Sequence, residues 1–397
     1  MQNFADLIQT VIVIWKIYKG LLKGKMCRIL YIGRFELPDK EATANRVVAN
    51  AKLLRELGHS VVLAGWSEDV FASNRWSKKE YFGFECYEKK KAKSSYEKFK
   101  MFTDASAELE LLKSSKFDIL IAYDFPAVAL KKLMKYCAKH HILTICDISE
   151  WYTNSNRHFV FRVVRAYDSY LRMKVLNKRT DGLIVISEYL EKYYAGQKMV
   201  RIPPLVDKQE EKWNMQKTSF PDAIRLIYAG WPSKTKERLD LLVSAIANLS
   251  QKYSVQLDVY GINEKQYKAM YGLEADSSIA PAVQFHGRVS HLETLQAVKN
   301  ADYSLIIRES NRKNNAGFPS KLVESISCGT PVLTTPISNV RDYVGEGRNG
   351  YIISIPTLEQ DLEQAICRRQ EVLMEDGLFD YRQYLEPMKV FLDSLDR

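Results

Sequence analysis

The sequence has few cysteines, and none of them is arranged in a pattern that marks a bonded framework. Six cysteines are scattered along 397 residues, and no two form a Cys-x-x-Cys pair. This scatter favours a reducing compartment and argues against a disulfide-stapled fold or a zinc site. The histidines also lack ligand spacing, because the adjacent His140 and His141 point apart on a helix. We therefore expect no metal site.

Long uninterrupted apolar runs are also missing. Within residues 1–25, Lys16 and Lys19 interrupt the apolar run and leave it short for a membrane-spanning helix. No small-residue cleavage site follows, which argues against a signal peptide. On a helix, apolar and basic side chains fall on different sides, a pattern typical of a membrane-interfacial segment, although Val13 and Ile17 interrupt it. The alternative is a loosely attached extension.

Acidic residues are outnumbered by basic ones. The chain has 58 Lys and Arg residues against 48 Asp and Glu residues, a formal net charge of +10. Such a balance suits nucleic acid, an anionic lipid surface or a phosphorylated substrate. No homeodomain, zinc-finger or RNA-recognition pattern accompanies the charge. We therefore expect lipid and phosphate as partners, and no nucleic acid.

Apolar strands alternate with helices from Cys27 onward. Runs such as CRILYIG, FDILIAYD and DGLIVIS are almost continuously apolar, as are strands of a parallel sheet that is covered on both faces. A polar segment that ends near Pro221 precedes a second series, which begins with IRLIYAG. The pattern predicts an α/β chain with two doubly wound parallel-sheet domains in tandem.

The predicted boundaries follow from this alternation. They are an extension (1–25), a first domain (26–205), a linker (206–223), a second domain (224–376) and a C-terminal helix (377–397) that packs back toward the first domain. Ligands of such sheets bind at the carboxyl ends of the strands. We therefore expect the functional site in the crevice between the two domains.

The stretch NNAGFPSKLVESISCGTPVL places a glycine-rich turn before a short helix. Gly317 permits a close backbone approach, Pro319 fixes the entry to the helix, and Ser320 is a candidate N-cap. The unpaired N–H groups of the first turn suit a phosphate. Glu324, about 6 Å further along the axis, can accept hydrogen bonds from a vicinal diol such as that of ribose. The alternative is an ordinary capped helix whose glutamate favours the dipole.

Cationic side chains follow two strands of the predicted second domain. Arg308 ends the strand in LIIRESNRKNNAG, where a guanidinium is well placed for a diphosphate. Gly230 ends the strand in IYAGWPSKTKERLDLL, and Lys234 and Lys236 lie in the following turn. Two cations that face one diphosphate would stabilise the charge on a departing nucleotide. The alternative is a solvated loop and helix start.

In their order and spacing, several motifs resemble the glycosyl transferases group 1 family. These retaining nucleotide-sugar glycosyltransferases have two Rossmann-like domains, the GT-B fold. The motifs that look like its polysaccharide-assembly branch are ILYIGRFELPDKEATANRV, CDISEWY, LIVISEYLEKYY, RIPPLVD, FHGRVSHLET, IIRESNRKNNAGFPSKLVES and CGTPVL. The resemblance covers nearly all of the chain after Met26. The donor-binding set that it supports is Gly33, Gly230, Lys234, Gly317, Phe318, Pro319, Ser320, Lys321 and Glu324.

Two positions depart from the family pattern. Many members carry a second glutamate eight positions before the one that matches Glu324, and Ala316 stands there. Members also often have an arginine after the glycine of the first strand, and Trp231 stands there. The diphosphate would therefore depend on Lys236 and Arg308, which we expect to be catalytic, with help from Lys234.

The first domain is expected to hold the acceptor. Gly33 lies in the loop after the first strand and would let the backbone approach the donor, while Asn45 and Arg46 begin the covering helix. Asp147 and Glu150 follow another strand, in CDISEWY, and are predicted to enter the crevice. The resemblance suggests that Glu150 contacts the transferred sugar or the acceptor. The alternative is that Asp147 caps a turn.

A long basic helix with interleaved aromatic residues is predicted in NRHFVFRVVRAYDSYLRMKVLNKR, residues 156–179. Its arginines and lysines greatly exceed its single acid, Asp168. Together with KKKAKSSYEKFK, it makes the first half of the chain basic. Such a surface fits anionic lipid, and the alternative is a plain solvated face.

The combined reading is a metal-independent glycosyltransferase without a cofactor. It would move a hexose-type sugar from a nucleoside diphosphate sugar to a lipid-linked or growing oligosaccharide acceptor, at the cytoplasmic face of the membrane, in cell-surface polysaccharide synthesis. The resemblance implies front-face displacement with retention. The rivals are a non-catalytic sugar-nucleotide or lipid-binding partner subunit and a nucleotide-sugar epimerase, which would need paired acid and base groups around one sugar carbon.

Overall fold

The computed structural model describes residues 26–38, 40–70, 76–151, 159–218, 223–233, 236–368, 373–374 and 377–395. The interfacial pattern of residues 1–25 lies outside the described residues, as do Lys234 and the first turn of the predicted basic helix.

The first domain is built on an eight-stranded sheet. In chain order its strands are β1 (Arg28–Gly33), β2 (Ser60–Ser67), β3 (Ser77–Tyr81), β4 (Phe84–Lys90), β5 (Ile119–Tyr123), β6 (Leu143–Ile148), β7 (Gly182–Val185) and β8 (Met199–Arg201). Their spatial order is β3-β4-β2-β1-β5-β6-β7-β8. All neighbours pair in parallel except β3 and β4, which form an antiparallel hairpin at the edge.

Helices cover both faces of this sheet. They are α1 (Ala42–Glu56), α2 (Ser95–Lys100), α3 (Ser106–Ser114), α4 (Ala127–Lys139), α5 (Phe159–Tyr170) and α6 (Glu188–Tyr193). A π-helical turn (Leu171–Leu176) and a 3₁₀ turn (Asn177–Arg179) extend α5. The long basic helix is therefore present in the described part of its range.

The second domain is built on a six-stranded parallel sheet. Its strands are β9 (Ile224–Ala229), β10 (Val255–Tyr260), β11 (Val283–Gly287), β12 (Tyr303–Ile306), β13 (Val332–Thr334) and β14 (Gly350–Ile352), in the order β11-β10-β9-β12-β13-β14. Its helices are α7 (Leu239–Leu249), α8 (Glu264–Tyr271), α9 (His291–Asn300), α10 (Arg312–Ala316), α11 (Ser320–Ser327) and α12 (Leu358–Cys367). The predicted fold class, two parallel-sheet α/β domains, is confirmed.

The chain finally returns to the first domain. The last helix, α13 (Leu385–Ser394), buries Met388 and Phe391 in the same apolar cluster as Ile29 and Ile145 of the first sheet. A Cβ atom on Gly182 of β7 would lie 2.7 Å from Phe391 Cζ. Glycine therefore lets the helix pack directly on the strand.

The segment after β8 is attached to both domains. Lys52 of α1 donates to Asp207 at 2.8 Å and to Glu210 at 2.7 Å, while Trp213 is buried. Lys208 Nζ donates to the Ser327 carbonyl of α11 at 2.8 Å. The polar segment that the sequence predicts as a linker is therefore fixed in place over residues 207–213.

Two further features concern the cysteines and the lengths of the helices. None of the six cysteines is in a disulfide. Within the described residues, no helix is long and apolar enough to cross a membrane.

Candidate active site

The cleft lies where loops after β6 and β7 of the first domain meet α10 and the turn after β13 of the second. Ser187 Oγ donates to the Ala316 carbonyl at 2.8 Å, and the Glu188 N–H donates to Asn339 Oδ1 at 3.2 Å. Arg201 pairs with Asp342 at 3.2 Å. These contacts join the two domains along one side of the cleft.

Lys236 and Glu150 meet across the cleft. Lys236 Nζ donates to Glu150 Oε1 at 3.0 Å, and the two side chains are 31% and 40% exposed. Asn314 Nδ2 holds the lysine's loop by donating to the Lys236 carbonyl at 3.2 Å. Two predicted catalytic residues are thus brought together, one from each domain.

Arg308 forms an ion pair with the buried Glu237. The guanidinium donates to Glu237 Oε1 from Nη2 at 2.6 Å and from Nε at 3.2 Å. Lys321 donates to the other carboxylate oxygen at 2.9 Å, and the Tyr228 hydroxyl also donates to Glu237. Sequence reasoning missed Glu237, although it follows Lys236 directly and comes from the same turn.

The buried cluster shifts the pKa values of Glu237 and Lys321. Burial would raise the pKa of Glu237, but the charges of Lys321 and Arg308 outweigh it and lower the pKa to about 2. Burial lowers the pKa of Lys321 to about 8, against the attraction of Glu237. The Lys321 ammonium also lies 3.7 Å from the centroid of the Tyr228 ring, a cation–π contact.

Gly230 is required by this packing. Its φ is +116°, and a Cβ atom there would lie 2.9 Å from Lys321 Cε. A larger residue would be strained and would push on Lys321. Gly230 therefore shapes the site by admitting the lysine, in addition to ending β9.

Helix α11 begins at Ser320, so the prediction that Ser320 is its N-cap is wrong. Pro319 is the N-cap, with extended backbone, and no side chain caps the helix. The helix therefore starts one residue earlier than the sequence predicts, because Pro319 itself takes the N-cap position. The first-turn N–H groups remain without a side-chain cap, as a phosphate site requires.

Glu324 lies one turn into α11, with its carboxylate 3.3 Å from His291 Nε2 of α9. With Ser320 and Val323, it lines a narrow interdomain cavity of about 60 Å³. The opposite wall comes from α1 and from the segment after β8 and includes Asn45. The predicted ribose-binding carboxylate therefore faces a space that both domains enclose.

Of the three residues before Pro319, Gly317 faces the first domain, whereas Ala316 and Phe318 are buried. Gly317 has ordinary extended backbone, and its Cα faces the Ser149 carbonyl of the first domain. Phe318 is buried and packs edge-on against Tyr343 and Phe379. Ala316, where many family members carry a glutamate, is fully buried, so Phe318 and Ala316 support the loop from below.

Asp147 and Arg46 form a buried ion pair, and the prediction that Asp147 enters the crevice is wrong. Arg46 Nη2 donates to Asp147 Oδ1 at 2.7 Å, and Arg46 Nη1 donates to the Ile202 carbonyl at 2.9 Å. The hydroxyl of Tyr31 also donates to Asp147. β6 directs Asp147 inward because alternate residues of a strand point to opposite faces.

Gly33 lies at the end of β1 against β5. A Cβ atom there would lie 2.8 Å from Tyr123 Cβ, so the strand end is too crowded for any side chain. Trp231, which stands where many family members have an arginine, is exposed and supplies no cation to the cleft.

Asp124, which sequence reasoning missed, lies directly after β5 beside Glu150. It accepts hydrogen bonds from Ser149 Oγ and, at 2.9 Å, from Arg172 Nη1. Burial raises the pKa of Asp124 to about 6, although Arg172 opposes the shift. Its φ of +42° is rare for a residue with a side chain. The sequence could have indicated Asp124, because it is an acidic residue directly after an apolar strand.

Within the described residues, no group of three or more His, Cys, Asp or Glu side chains is placed to hold a metal ion.

Part of the chain resembles a known family in sequence, and nearly all of it resembles solved structures in fold. Residues 209–371 match the family model described as glycosyl transferases group 1. No curated protein sequence matches the chain. Solved structures share its fold.

Three of these structures illustrate the likeness. A sucrose-phosphate synthase from Thermosynechococcus elongatus has a TM-score of 0.65 at 14% identity, covering 93% of this chain and 99% of that one. Anabaena HepE in complex with UDP-glucose has a TM-score of 0.62 at 15% identity, covering 93% and 100%. A UDP-forming α,α-trehalose-phosphate synthase from Burkholderia xenovorans has a TM-score of 0.64 at 10% identity, covering 93% and 99%.

The fold that the chain shares with these structures is the GT-B architecture of two Rossmann-like domains. The match to the glycosyl transferases group 1 model covers residues 209–371, which include Lys236, Arg308, Lys321 and Glu324.

Proposed function

We propose that the chain transfers a sugar, with retention, from a nucleoside diphosphate sugar to a lipid-linked or growing glycan acceptor. The carrying observation is the set of three cations at the cleft, Lys236, Arg308 and Lys321, beside the uncapped start of α11 and Glu324. A diphosphate and a ribose need cations and helix amides at one end and a carboxylate at the other. One solved structure of the same fold, that of Anabaena HepE, is a complex with UDP-glucose.

The charges of the cleft suit a dianionic ligand. Three cations face two carboxylates, Glu150 and Glu237, so the cluster keeps one net positive charge. A diphosphate arriving at the cleft competes with Glu150 for Lys236, the more exposed of the paired cations. Glu150 is then free to accept a hydrogen bond from a sugar or acceptor hydroxyl.

The reaction we propose is a front-face displacement. The bond between the sugar's anomeric carbon and the diphosphate oxygen breaks, and the acceptor oxygen forms its bond to that carbon on the same face. The acceptor's proton passes to the departing phosphate oxygen. Lys236, Arg308 and the α11 amides stabilise the growing negative charge, so this scheme assigns no step to a metal ion or cofactor.

A membrane surface as partner is supported by α5. Phe159, Val163, Tyr167 and Tyr170 are spaced four, four and three residues apart, share one face and are each more than half exposed. The exposed Arg162, Lys174, Lys178 and Arg179 add positive charge along this segment. An apolar stripe with basic flanks suits an anionic bilayer, and we propose attachment to the cytoplasmic face in cell-surface polysaccharide synthesis.

Some basic residues of the predicted membrane-facing surface are instead paired with carboxylates of the protein itself. Arg172 is buried against Asp124, and Asp168 accepts a hydrogen bond from the Ala127 N–H at the start of α4 at 2.7 Å. Lys89, Lys90 and Lys91 are each paired with a carboxylate. The membrane proposal therefore rests on the exposed residues of α5 and of the turns that extend it.

The non-catalytic partner subunit remains the alternative, favoured by Ala316 and Trp231. Two measurements separate it from the enzyme. A thermal-shift screen over nucleoside diphosphate sugars identifies the donor, because a ligand at 100 times its Kd stabilises the folded state by about 2.7 kcal/mol. Release of nucleoside diphosphate from that donor then shows turnover. Stabilisation without release, with every acceptor class present, would favour the binding subunit.

Glu324→Ala tests the ribose assignment in the same screen. A carboxylate that loses charged hydrogen bonds to hydroxyls costs about 1.5–3 kcal/mol, so we expect donor affinity to fall roughly tenfold or more. Glu274→Ala, an exposed glutamate of the same domain that does not line the interdomain cavity, is the matched control. Equal donor affinity in wild type and Glu324→Ala would contradict the assignment.

A further inference from the structure

Three buried side chains next to Glu150 in the first domain are linked by hydrogen bonds. The Tyr123 hydroxyl lies 2.9 Å from Ser149 Oγ, and Ser149 Oγ donates to the Asp124 carboxylate. Because the Ser149 proton goes to Asp124, the Tyr123 hydroxyl is the donor of the first bond. All three residues are buried. The linked groups therefore end on a buried carboxylate that the proposed reaction does not use.

Several contacts hold Asp124 in place. Arg172 Nη1 donates to its other carboxylate oxygen at 2.9 Å, and its own N–H donates to the Asp147 carbonyl at 3.0 Å. Arg172 belongs to the π-helical turn after α5, a rare geometry that is frequent at functional sites. The backbone of Asp124 has a φ of +42°, a strained value that persists only where the surrounding contacts enforce it. The carboxylate therefore has a fixed position from which it can hold a neighbour.

Residues 149–151, which we call the β6 loop, carry one cleft-facing side chain between two anchored ones. Ser149 is anchored by the hydrogen bond described above. Trp151 is buried and packs edge-on against Tyr193 of α6, with the ring centroids 4.8 Å apart. Glu150 lies between them and reaches the cleft. The place of the Glu150 carboxylate therefore depends on the anchors of its two neighbours.

The charge of Asp124 changes within the physiological pH range. Burial raises the pKa of Asp124 to about 6, against the attraction of Arg172. The charged and titratable groups that act on it or on its serine partner are Arg172, Tyr123, Cys146, Asp147 and Glu150. A hydrogen bond to an ionised carboxylate is about twice as strong as one between neutral groups. Protonation of Asp124 therefore weakens its hold on Ser149.

We propose that Asp124 is a positioning residue for Glu150: when ionised, it holds Ser149 and so fixes the β6 loop with the Glu150 carboxylate in the cleft. Protonation of Asp124 frees Ser149 and lets the loop shift. The task of Glu150 rests on the proposed sugar transfer, but the hold on the loop rests on the hydrogen bonds alone. It can therefore be measured without any substrate.

The full-length protein, without ligand, is labelled with fluorotryptophan, and its fluorine NMR spectrum is followed from about pH 5 to about pH 8. Trp151→Phe assigns the resonance of Trp151, which adjoins Glu150 and therefore reports the β6 loop. The dispersion of the remaining tryptophan resonances shows for each variant that the protein is folded.

Two variants break the link at different atoms. Asp124→Asn keeps the size of the side chain but cannot ionise, and Ser149→Ala removes the hydroxyl that Asp124 holds. Asp181→Asn is the matched control, because Asp181 also accepts a hydrogen bond from β6, from the Thr144 N–H at 2.7 Å, but near the start of that strand.

We expect the Trp151 resonance of the wild type and of Asp181→Asn to shift with a midpoint near pH 6. Asp124→Asn should lack this step and stay at the low-pH position, because an amide is as uncharged as a protonated carboxyl. Ser149→Ala should lack the step as well. A wild-type resonance that does not move near pH 6, or a step that survives in either variant, would overturn the proposal. If Asp124→Asn does not fold, Ser149→Ala decides, since it leaves the ion pair of Asp124 intact.

Turnover separates this inference from the proposed function. With the donor found in the thermal-shift screen, Asp124→Asn should lower turnover by up to about 10²-fold, the cost of a misplaced group at the reacting centre. The donor Kd should change little, because the donor-binding residues lie mainly in the second domain. Wild-type turnover in Asp124→Asn would also overturn the positioning role. If no nucleoside diphosphate sugar stabilises the protein, the proposed transfer fails, while the pH step of Trp151 still shows that Asp124 holds the loop.

Discussion

Glu237 is a buried carboxylate that serves three partners at once. Arg308, two residues after β12, and Lys321 of α11 approach its two oxygens, and Tyr228 of β9 adds a hydroxyl. Without this carboxylate, two cations would face each other in a buried space. Glu237 is therefore a positioning residue, because it fixes the guanidinium and the ammonium that we expect at the diphosphate.

Glu237→Gln removes the charge but keeps the size of the side chain. Removing one partner of a buried ion pair costs about 3–5 kcal/mol, so we expect a clear fall in the urea midpoint at pH 7. Glu309→Gln, at an exposed partner of Arg238, is the control and should cost at most about 1 kcal/mol.

The same pair of variants has a predicted pH dependence. Because the pKa of Glu237 is lowered to about 2 from 4.5, its stabilisation is fully present above about pH 4.5 and is lost as the pH falls toward 2. The gap between wild type and Glu237→Gln should therefore narrow at pH 3. A gap of the same size at both pH values would show that Glu237 is not held ionised by its neighbours.

Residue-scale predictions from the sequence succeeded where the residue type and its place at a strand end determine the outcome. Lys236, Glu150 and Glu324 all reach the cleft, as their positions after β9, after β6 and in α11 require. Asp147 failed because its direction depends on the pleat of β6 and on Arg46, 101 residues away. Glu237 was missed because nothing local shows that Arg308 and Lys321 converge on it.

Elements were predicted from the sequence to the extent that their apolar patterns are strong. Apart from β4, the parallel strands were predicted from the sequence, and the long basic helix is present as α5 and its extending turns. The hairpin of β3 and β4 was taken for a basic stretch, because an edge strand such as SKKEY is polar and lacks a core-facing pattern. Short helices such as α10 also left no periodic signal.

We expect the exposed face of α5 to bind anionic vesicles. Tyr167→Asp places a negative charge in the apolar stripe, and we expect it to reduce co-sedimentation with phosphatidylglycerol vesicles severalfold. Leu292→Asp, at a similarly exposed apolar side chain of α9, should leave binding unchanged. The salt dependence should be steep, because each basic residue near such a surface contributes about 1 kcal/mol and is screened within about 8 Å. Equal sedimentation of both variants would remove α5 as the docking face.

For the whole molecule, function depends on how two similar domains meet. The pairs that join them are far apart in sequence: Ser187 with Ala316 are 129 residues apart, and Lys236 with Glu150 are 86 apart. Two tandem domains could be predicted from repeated strand–helix alternation. Their facing surfaces could not, because no local pattern records which loop meets which.

The most direct test of the central claim is the turnover number of Lys236→Ala with saturating donor, measured as release of nucleoside diphosphate beside donor affinity. Lys265→Ala, an exposed lysine of the same domain, is the control. Because charge grows on the diphosphate only as the bond breaks, removing a group that stabilises it should lower turnover by about 10²–10³-fold, while the donor Kd changes by about tenfold or less. Wild-type turnover in a folded Lys236→Ala protein would contradict the assignment of the cleft as the site of sugar transfer.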